Sequence, residues 1–160
     1  MLANFDALNL LLDGLSEEQA HWRPDEQAWS IVEIINHMAD EEAEDFRARL
    51  TSTLADPKRE WKPIDPPAWV KDHDYQSADF STSLERLCSE RGISLTVLSL
   101  LKTPDWDRSY DHPLLGSISA ADLLVSWHAH DLLHLRQISR RLFELGAMNG
   151  EAKADYAGKW

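Results

Sequence analysis

Apolar residues recur at helical spacing in four separated stretches of this chain. The first runs from about Ala3 to Leu15, with Phe5, Leu8, Leu11 and Leu12 on one face, and Gly14 with the polar run Ser16-Glu17-Glu18 ends or breaks it. A linker follows, His21-Trp22-Arg23-Pro24-Asp25. The second stretch opens at Ser30, which forms a capping box with Glu33 three residues on. Ile31, Ile34, Ile35, Met38, Phe46 and Leu50 supply its buried face, and it ends near Leu54, before Asp56-Pro57. The third spans about Ala78 to Leu101, with Phe80, Leu84, Leu87, Leu95 and Leu98 inside. The fourth starts at Ser119, capped again with Asp122, and runs to about Leu145, where Gly146 ends it. The tail to Trp160 reads as irregular.

The connections are unequal. Residues Ala55 to Gln76 hold Pro57, Pro63, Pro66 and Pro67, together with Trp61 and Trp69, and read as a long connection with little regular structure. Asp105 to Ser117, with Pro113 and Gly116, reads as a second loop. No stretch alternates convincingly as a strand, so the pattern predicts an all-α fold, a four-helix bundle. A long second connection lets the third helix run parallel to the second, and the two tryptophans would pin that connection to the bundle. The 160 residues fit a single domain, 1–160.

Charge narrows the partners. The formal net charge is -12, and no basic stripe is long enough for a nucleic-acid binder. Arg136, Arg140 and Arg141 form a short cluster on the fourth helix and read as complementing its dipole. The acidic balance disfavours anionic membranes, and no apolar stretch is long enough to span a bilayer. The N-terminus lacks a basic region followed by an apolar run and a cleavage site, so no signal peptide is predicted. Cys88 is the only cysteine, which excludes an intrachain disulfide and suits a cytoplasmic location. It falls in an apolar pattern with Leu84 and Leu87 and is expected in the core.

The chemistry concentrates in the fourth helix, in the run Trp127-His128-Ala129-His130-Asp131-Leu132-Leu133-His134. His130 and His134 lie one turn apart on the same face, a spacing that lets two imidazoles bind one metal ion. They share a stripe with Leu123, Trp127, Ile138 and Leu145 and so point into the bundle, where two unsatisfied imidazoles would be costly. Two ligands do not complete a site. His37, on the flank of the second helix's apolar face, is the third candidate. Glu41, one turn further on, is open to four readings: a fourth ligand, an acceptor for His37, a general base, or part of a solvated acidic face with Asp40, Glu42, Glu44 and Asp45. The last reading is the plainer one. His128 projects away from the stripe. His21, His73 and His112 fall in loops and are expected to be solvated, although the loop of His112 leads into the fourth helix and could bring it to the mouth of the site. Trp127 and Trp61 either shape an apolar pocket or, more simply, pack in the core.

The sequence also resembles a known family. Trp22-Arg23-Pro24, then Trp29-Ser30-Ile31 leading to Asn36-His37-Met38-Ala39-Asp40-Glu41, is similar to the second-helix signature of the DinB-like (YfiT-like) metalloprotein superfamily. His112-Pro113 with Gly116, and His130-Asp131-Leu132-Leu133-His134-Leu135-Arg136-Gln137-Ile138, resemble its fourth-helix signature. The closing Tyr156-Ala157-Gly158-Lys159-Trp160 is similar to the tail of many members. The resemblance covers nearly the whole chain, although the first helix begins almost at Met1 and is shorter than is usual in the family. It implies a four-helix bundle in up-down-down-up order. It further implies a divalent metal, most often nickel or zinc, held by His37, His130 and His134, and a homodimer. Relatives of this kind include thiol S-transferases that use bacillithiol or mycothiol and a mycothiol-dependent maleylpyruvate isomerase.

Together these readings lead to a metal-dependent enzyme, a thiol S-transferase or a hydrolase. Its metal would lower the pKa of a bound thiol or water. In that reading Glu41 is a base, Gln137 orients substrate or a water, and the partners are a small-molecule substrate and a low-molecular-weight thiol. Three imidazoles also suit iron or copper. The alternative is a bundle that holds metal for stability or sensing without turnover, favoured if Glu41 closes the site.

Overall fold

The computed structural model of the protein describes residues 1–148 and Gly158; the expectations placed on the tail lie outside these residues except at Gly158. The elements are α1 (Leu2–Leu12), α2 (Glu17–His21), α3 (Ile31–Asp40), a π-helical stretch (Glu41–Arg47), α4 (Ala48–Ala55), α5 (Pro66–Asp72), α6 (Phe80–Leu100), β1 (Ser109–His112), β2 (Gly116–Ser119) and α7 (Ala120–Met148). A 3-10 turn, Tyr75–Ser77, precedes α6. The first stretch breaks where the polar run begins, and Ser16 caps α2 with Gln19 completing the box. The stretch from Ile31 to Ala55 is one continuous rod built of α3, the π-helical stretch and α4.

Side-chain pairings fix the directions. Ser30 Oγ donates to Gln76, Asn36 to Ser83 Oγ at 2.8 Å, and Arg47 to Ser94 Oγ, so the second rod and α6 rise together and run parallel. Along α7 the order inverts: Trp127 meets Glu42, His130 meets Glu41, and His134 lies against His37, so α7 is antiparallel to that rod. Met1 packs near Leu98, while Asn9 lies beside Cys88, which makes α1 antiparallel to α6. The order is therefore up, down, down, up: a four-helix bundle with its long connection between the second and third rods, the bundle that the pattern predicts in the order that the resemblance implies.

That connection is more regular than its prolines suggest. Asp65 accepts from Ala68 N–H and caps α5, with Pro66 and Pro67 in the first turn, where a missing N–H costs nothing. It is clamped by buried Asp40, which accepts from the Tyr75 hydroxyl, from His73 Nδ1 at 2.8 Å, and from Arg86 of α6. Burial alone would raise the Asp40 pKa, but those hydrogen bonds outweigh it and hold the carboxyl below its usual range. His73 is thus half-exposed but engaged. Trp61 stacks on Tyr110 with ring centroids 4.1 Å apart and donates to Thr53 Oγ1, pinning the connection as expected, whereas Trp69 stacks on His73 within the connection itself.

Three local expectations are corrected. The Asp105 to Ser117 loop contains an antiparallel hairpin, with Ser109 opposite Ser119 and His112 opposite Gly116. Gly146 does not stop the last helix, which continues to Met148. Cys88 is exposed rather than core, because the inward face of α6 runs through Phe80, Ser83, Leu87, Arg91 and Ser94. Leu84, Leu95 and Leu98 are only half-buried at its margin.

The core divides along the bundle. One apolar cluster gathers Leu8, Leu12, Ile31, Ile34, Ile35, Leu87 and Ile138, and another gathers Phe46, Leu50, Ala120, Leu123 and Trp127. Between them lies a buried polar layer: His37, Glu41, Glu42, Arg91, Asp131 and His134. None of the helices is long and apolar enough to cross a membrane, among the described residues.

Candidate metal centre

Two helix starts set the position of the site. Ser30 accepts from Glu33 N–H while Glu33 accepts from Ser30 N–H at 2.7 Å, so α3 begins at Ile31 and His37 falls in its second turn, facing the interior. Ser119 and Asp122 exchange the same pair of bonds at the start of α7. The inward stripe of α7 then runs Leu123, Trp127, Asp131, His134, Ile138, with His130 on its flank.

The antiparallel contact of α7 with the second rod brings His37, His130 and His134 together. One ring nitrogen from each lies within 4.8 Å of the others. His130 Nε2 and His134 Nε2 are 2.9 Å apart, and the rings of His37 and His134 meet edge-on at 4.9 Å. Phe46 and Trp29 close the flanks, against His130 and His37 respectively. Burial pushes the His134 pKa down to about 3, with His130 and His37 adding to the effect, and burial also lowers that of His37. Both rings are therefore neutral at pH 7, with lone pairs free to donate.

This donor set fits a divalent cation. Three imidazoles are a common ligand group, and nitrogens 2.9 Å apart can share an ion held about 2.0–2.1 Å from each. His37 Nδ1 is buried without a hydrogen-bond partner, while His134 Nδ1 is matched to Gln137 Oε1 at 2.8 Å. That bond places the proton of His134 on Nδ1 and leaves Nε2 bare toward the other histidines.

Glu41 is not on a solvated face. It is buried, with Oε2 2.8 Å from His130 Nε2 and Oε1 3.7 Å from His37 Nε2. It lies one α-helical turn beyond His37, whose carbonyl accepts from the Glu41 N–H, and so faces the same interior side. The π-helical stretch that begins here then takes in one extra residue before the apolar positions resume at Phe46 and Leu50. Burial works to raise the Glu41 pKa, but the histidines, His130 first, outweigh it and hold the carboxylate ionised. Asp45, one turn on, is pushed up to about 6 by burial despite its ion pair with Arg49.

Behind the histidines sits a cluster that sequence reasoning missed. Arg91 of α6 donates to both oxygens of Asp131 at 2.8 and 2.7 Å and reaches Glu42 Oε2 at 2.8 Å, where Trp127 Nε1 also donates. Burial raises the pKa of Glu42, and Arg91 only partly offsets it. Asp131 and Glu42 are the chain neighbours of His130 and Glu41, so one guanidinium ties together the two segments that carry the site.

The remaining candidates lie elsewhere. Trp127 is core, stacked on Phe46 with ring centroids 5.7 Å apart. His112 turns back on its own hairpin, where Nδ1 accepts from Leu114 and Leu115 N–H at 3.2 Å. His128 is exposed, and His21 bonds to Glu17 and Ala78 carbonyls away from the site. Neither tryptophan nor His112 lines the cavity that opens beside His130 and His134. That cavity, of about 570 Å³, is bounded instead by Gln137 and by Arg136, Arg140 and Arg141.

Comparison with known proteins agrees with this fold. The family model of the DinB superfamily matches residues 2–138. A protein of Oceanobacillus iheyensis, provisionally named a metal-dependent hydrolase, is 29% identical over 137 residues, covering 83% of this chain and 77% of its own. Among solved structures, YfiT from Bacillus subtilis is described as a probable metal-dependent hydrolase with an unusual four-helix bundle topology. It superposes with a TM-score of 0.68 at 24% identity, over 87% of this chain and 81% of its own, a likeness of fold.

Proposed function

The chain belongs to the DinB superfamily, and on that premise we propose that it is a divalent-metal-dependent enzyme acting on a small molecule, with His37, His130 and His134 as the ligands. One observation carries the reading. Three imidazole nitrogens gather within 4.8 Å, and a cavity of about 570 Å³ opens beside two of them. Three protein ligands with an open side are the arrangement of catalytic rather than structural sites.

A divalent cation held there would make water or a thiol acidic enough to ionise near neutral pH. The chain's own groups do the rest. Glu41, in contact with His130, takes the proton that the nucleophile gives up. Gln137 holds His134 in the tautomer that leaves Nε2 free to bind. Phe46 and Trp29 exclude bulk water from the flanks of the centre.

With water as nucleophile the protein is a hydrolase, the class named for the Oceanobacillus relative. With a low-molecular-weight thiol it is an S-transferase; the same ligands and base serve either. The 2.8 Å approach of Glu41 to His130 favours a second reading, in which this carboxylate is a fourth ligand and the bundle binds metal without turnover. Elemental analysis of wild type, His130→Ala and His134→Ala, with circular dichroism to confirm folding, tests the site. Stoichiometric metal lost in both variants supports it, and none in wild type after incubation with nickel or zinc overturns it. Screening metal-loaded protein for ester or amide hydrolysis, and for conjugation of thiols to electrophiles, separates the nucleophiles; Glu41→Gln that keeps metal but loses turnover separates base from ligand.

A further inference from the structure

We propose that the cavity beside the histidines takes a substrate carrying a carboxylate, gripped by Arg136, Arg140 and Arg141 while its other end reaches His130 and His134. Which end reacts rests on the metal-centre reading; the carboxylate grip does not.

The arginines first read as complements to the helix dipole, but the dipole acts within the last turn of a helix. α7 continues to Met148, so Arg136 and Arg140 lie more than a turn short of its last described residue. They line the cavity instead, together with Arg141, His130, His134 and Gln137. In a chain with 28 acidic against 16 basic side chains, three guanidinium groups within six positions are out of character. Glu144 accepts from Arg140 Nε at 2.9 Å and from Arg141, and so holds two of the three. Arg136 is exposed and has no carboxylate partner among the described residues. Arg141 is buried, and its Nε lacks an acceptor. The local excess of positive charge thus faces the cavity.

An arginine fork matches the planar geometry of a carboxylate and binds it through paired hydrogen bonds. Positions 136 to 141 follow His134 by two to seven residues, which places the cationic end roughly 3–10 Å further along the helix axis. That span matches a molecule the size of a short dicarboxylic or amino acid. The cavity volume lies in the usual range for small-molecule sites.

The test is titration of chelator-treated, metal-free protein with succinate at constant ionic strength, followed by calorimetry and by arginine side-chain NMR. Succinamide, of the same shape without charge, is the control. Saturable succinate binding, absent for succinamide and weakened at least fivefold by Arg136→Gln and by Arg140→Gln, is the expected result. Both side chains are largely exposed, so neither change threatens the fold. No saturable binding, or binding that the two variants leave unchanged, overturns the proposal. Because the measurement uses metal-free protein, failure of the metal centre leaves it intact. Stoichiometric metal without succinate binding sinks this inference alone.

Discussion

Arg91 and Asp131 form a fully buried, two-pronged ion pair, with both Nη atoms within 2.8 Å of a carboxylate oxygen. Asp131 adjoins His130, and the same guanidinium reaches Glu42, which adjoins Glu41. Removing it strands two buried carboxylates. Arg91→Met is expected to cost about 3–5 kcal/mol, the penalty for breaking one side of a buried pair. Urea unfolding measures it. A loss below about 1 kcal/mol would mean that water enters the layer and replaces the cation.

In the proposed centre Gln137 acts through His134. Its carbonyl oxygen fixes the proton on Nδ1, and loss of such a partner lowers metal affinity by about 10–100-fold. Gln137→Ala is expected to show that drop in competition with a chromophoric chelator, while Gln137→Glu, which keeps the acceptor, restores most of it. Equal affinity in all three proteins would remove Gln137 from the centre.

Asp45 gives a pH signature. Its pKa is about 6 in the folded chain against an ordinary value of 3.8, so folding disfavours its ionised form. The cost is absent below about pH 4, grows as pH rises to 6, and is complete above that. Asp45→Asn is therefore expected to stabilise metal-free protein at pH 7–8 by about 1–3 kcal/mol, at 1.36 kcal/mol per pKa unit, and to leave it unchanged near pH 4. Paired denaturation curves at the two pH values decide; equal effects at both would mean that Arg49 neutralises the group fully.

Ser30 starts the rod that carries His37 and also donates to Gln76 across the crossover. Ser30→Ala is expected to cost about 1–2 kcal/mol, at the upper end for a cap because the site is buried. Chemical denaturation gives the value, and hydrogen exchange should show the first turn of α3 opening first. Uniform protection across α3 would mean that Glu33 alone suffices to hold the start.

The parts of this structure that obey a single helical period were legible in the sequence. Ser30-Glu33 and Ser119-Asp122 mark two starts, and the four-residue step from His130 to His134 sets one face. What departed from that period was not. Glu41 reads most plainly as one of five acids on a wet surface, and that run masks the one-turn step from His37 that carries it inward. Arg91 and Asp131 occupy buried positions in helical register, but charged side chains there read as solvent-facing until their partners are known. Cys88 shares an apolar pattern with Leu84 and Leu87, but with Ser83, Arg91 and Ser94 inward the buried face of α6 turns away from it. The hairpin strands, four residues each, are too short and polar to show alternation. Asp65-Pro66-Pro67 carried a helix-start signal that the density of prolines around it obscured.

The π-helical stretch makes the second rod a joint between two phases. Upstream, the pattern of Ile31, Ile34, Ile35 and Met38 keeps one angular origin; downstream, Phe46, Leu50 and Thr53 keep another. A deletion of one residue between them would therefore lengthen nothing and shorten little, yet it would swing one half of the rod by about 100° relative to the other. Either the Glu41 carboxylate or the lower apolar face would then turn to solvent. Insertions and deletions are tolerated in the surface connections of such a bundle, but at this joint the count of residues is itself part of the site.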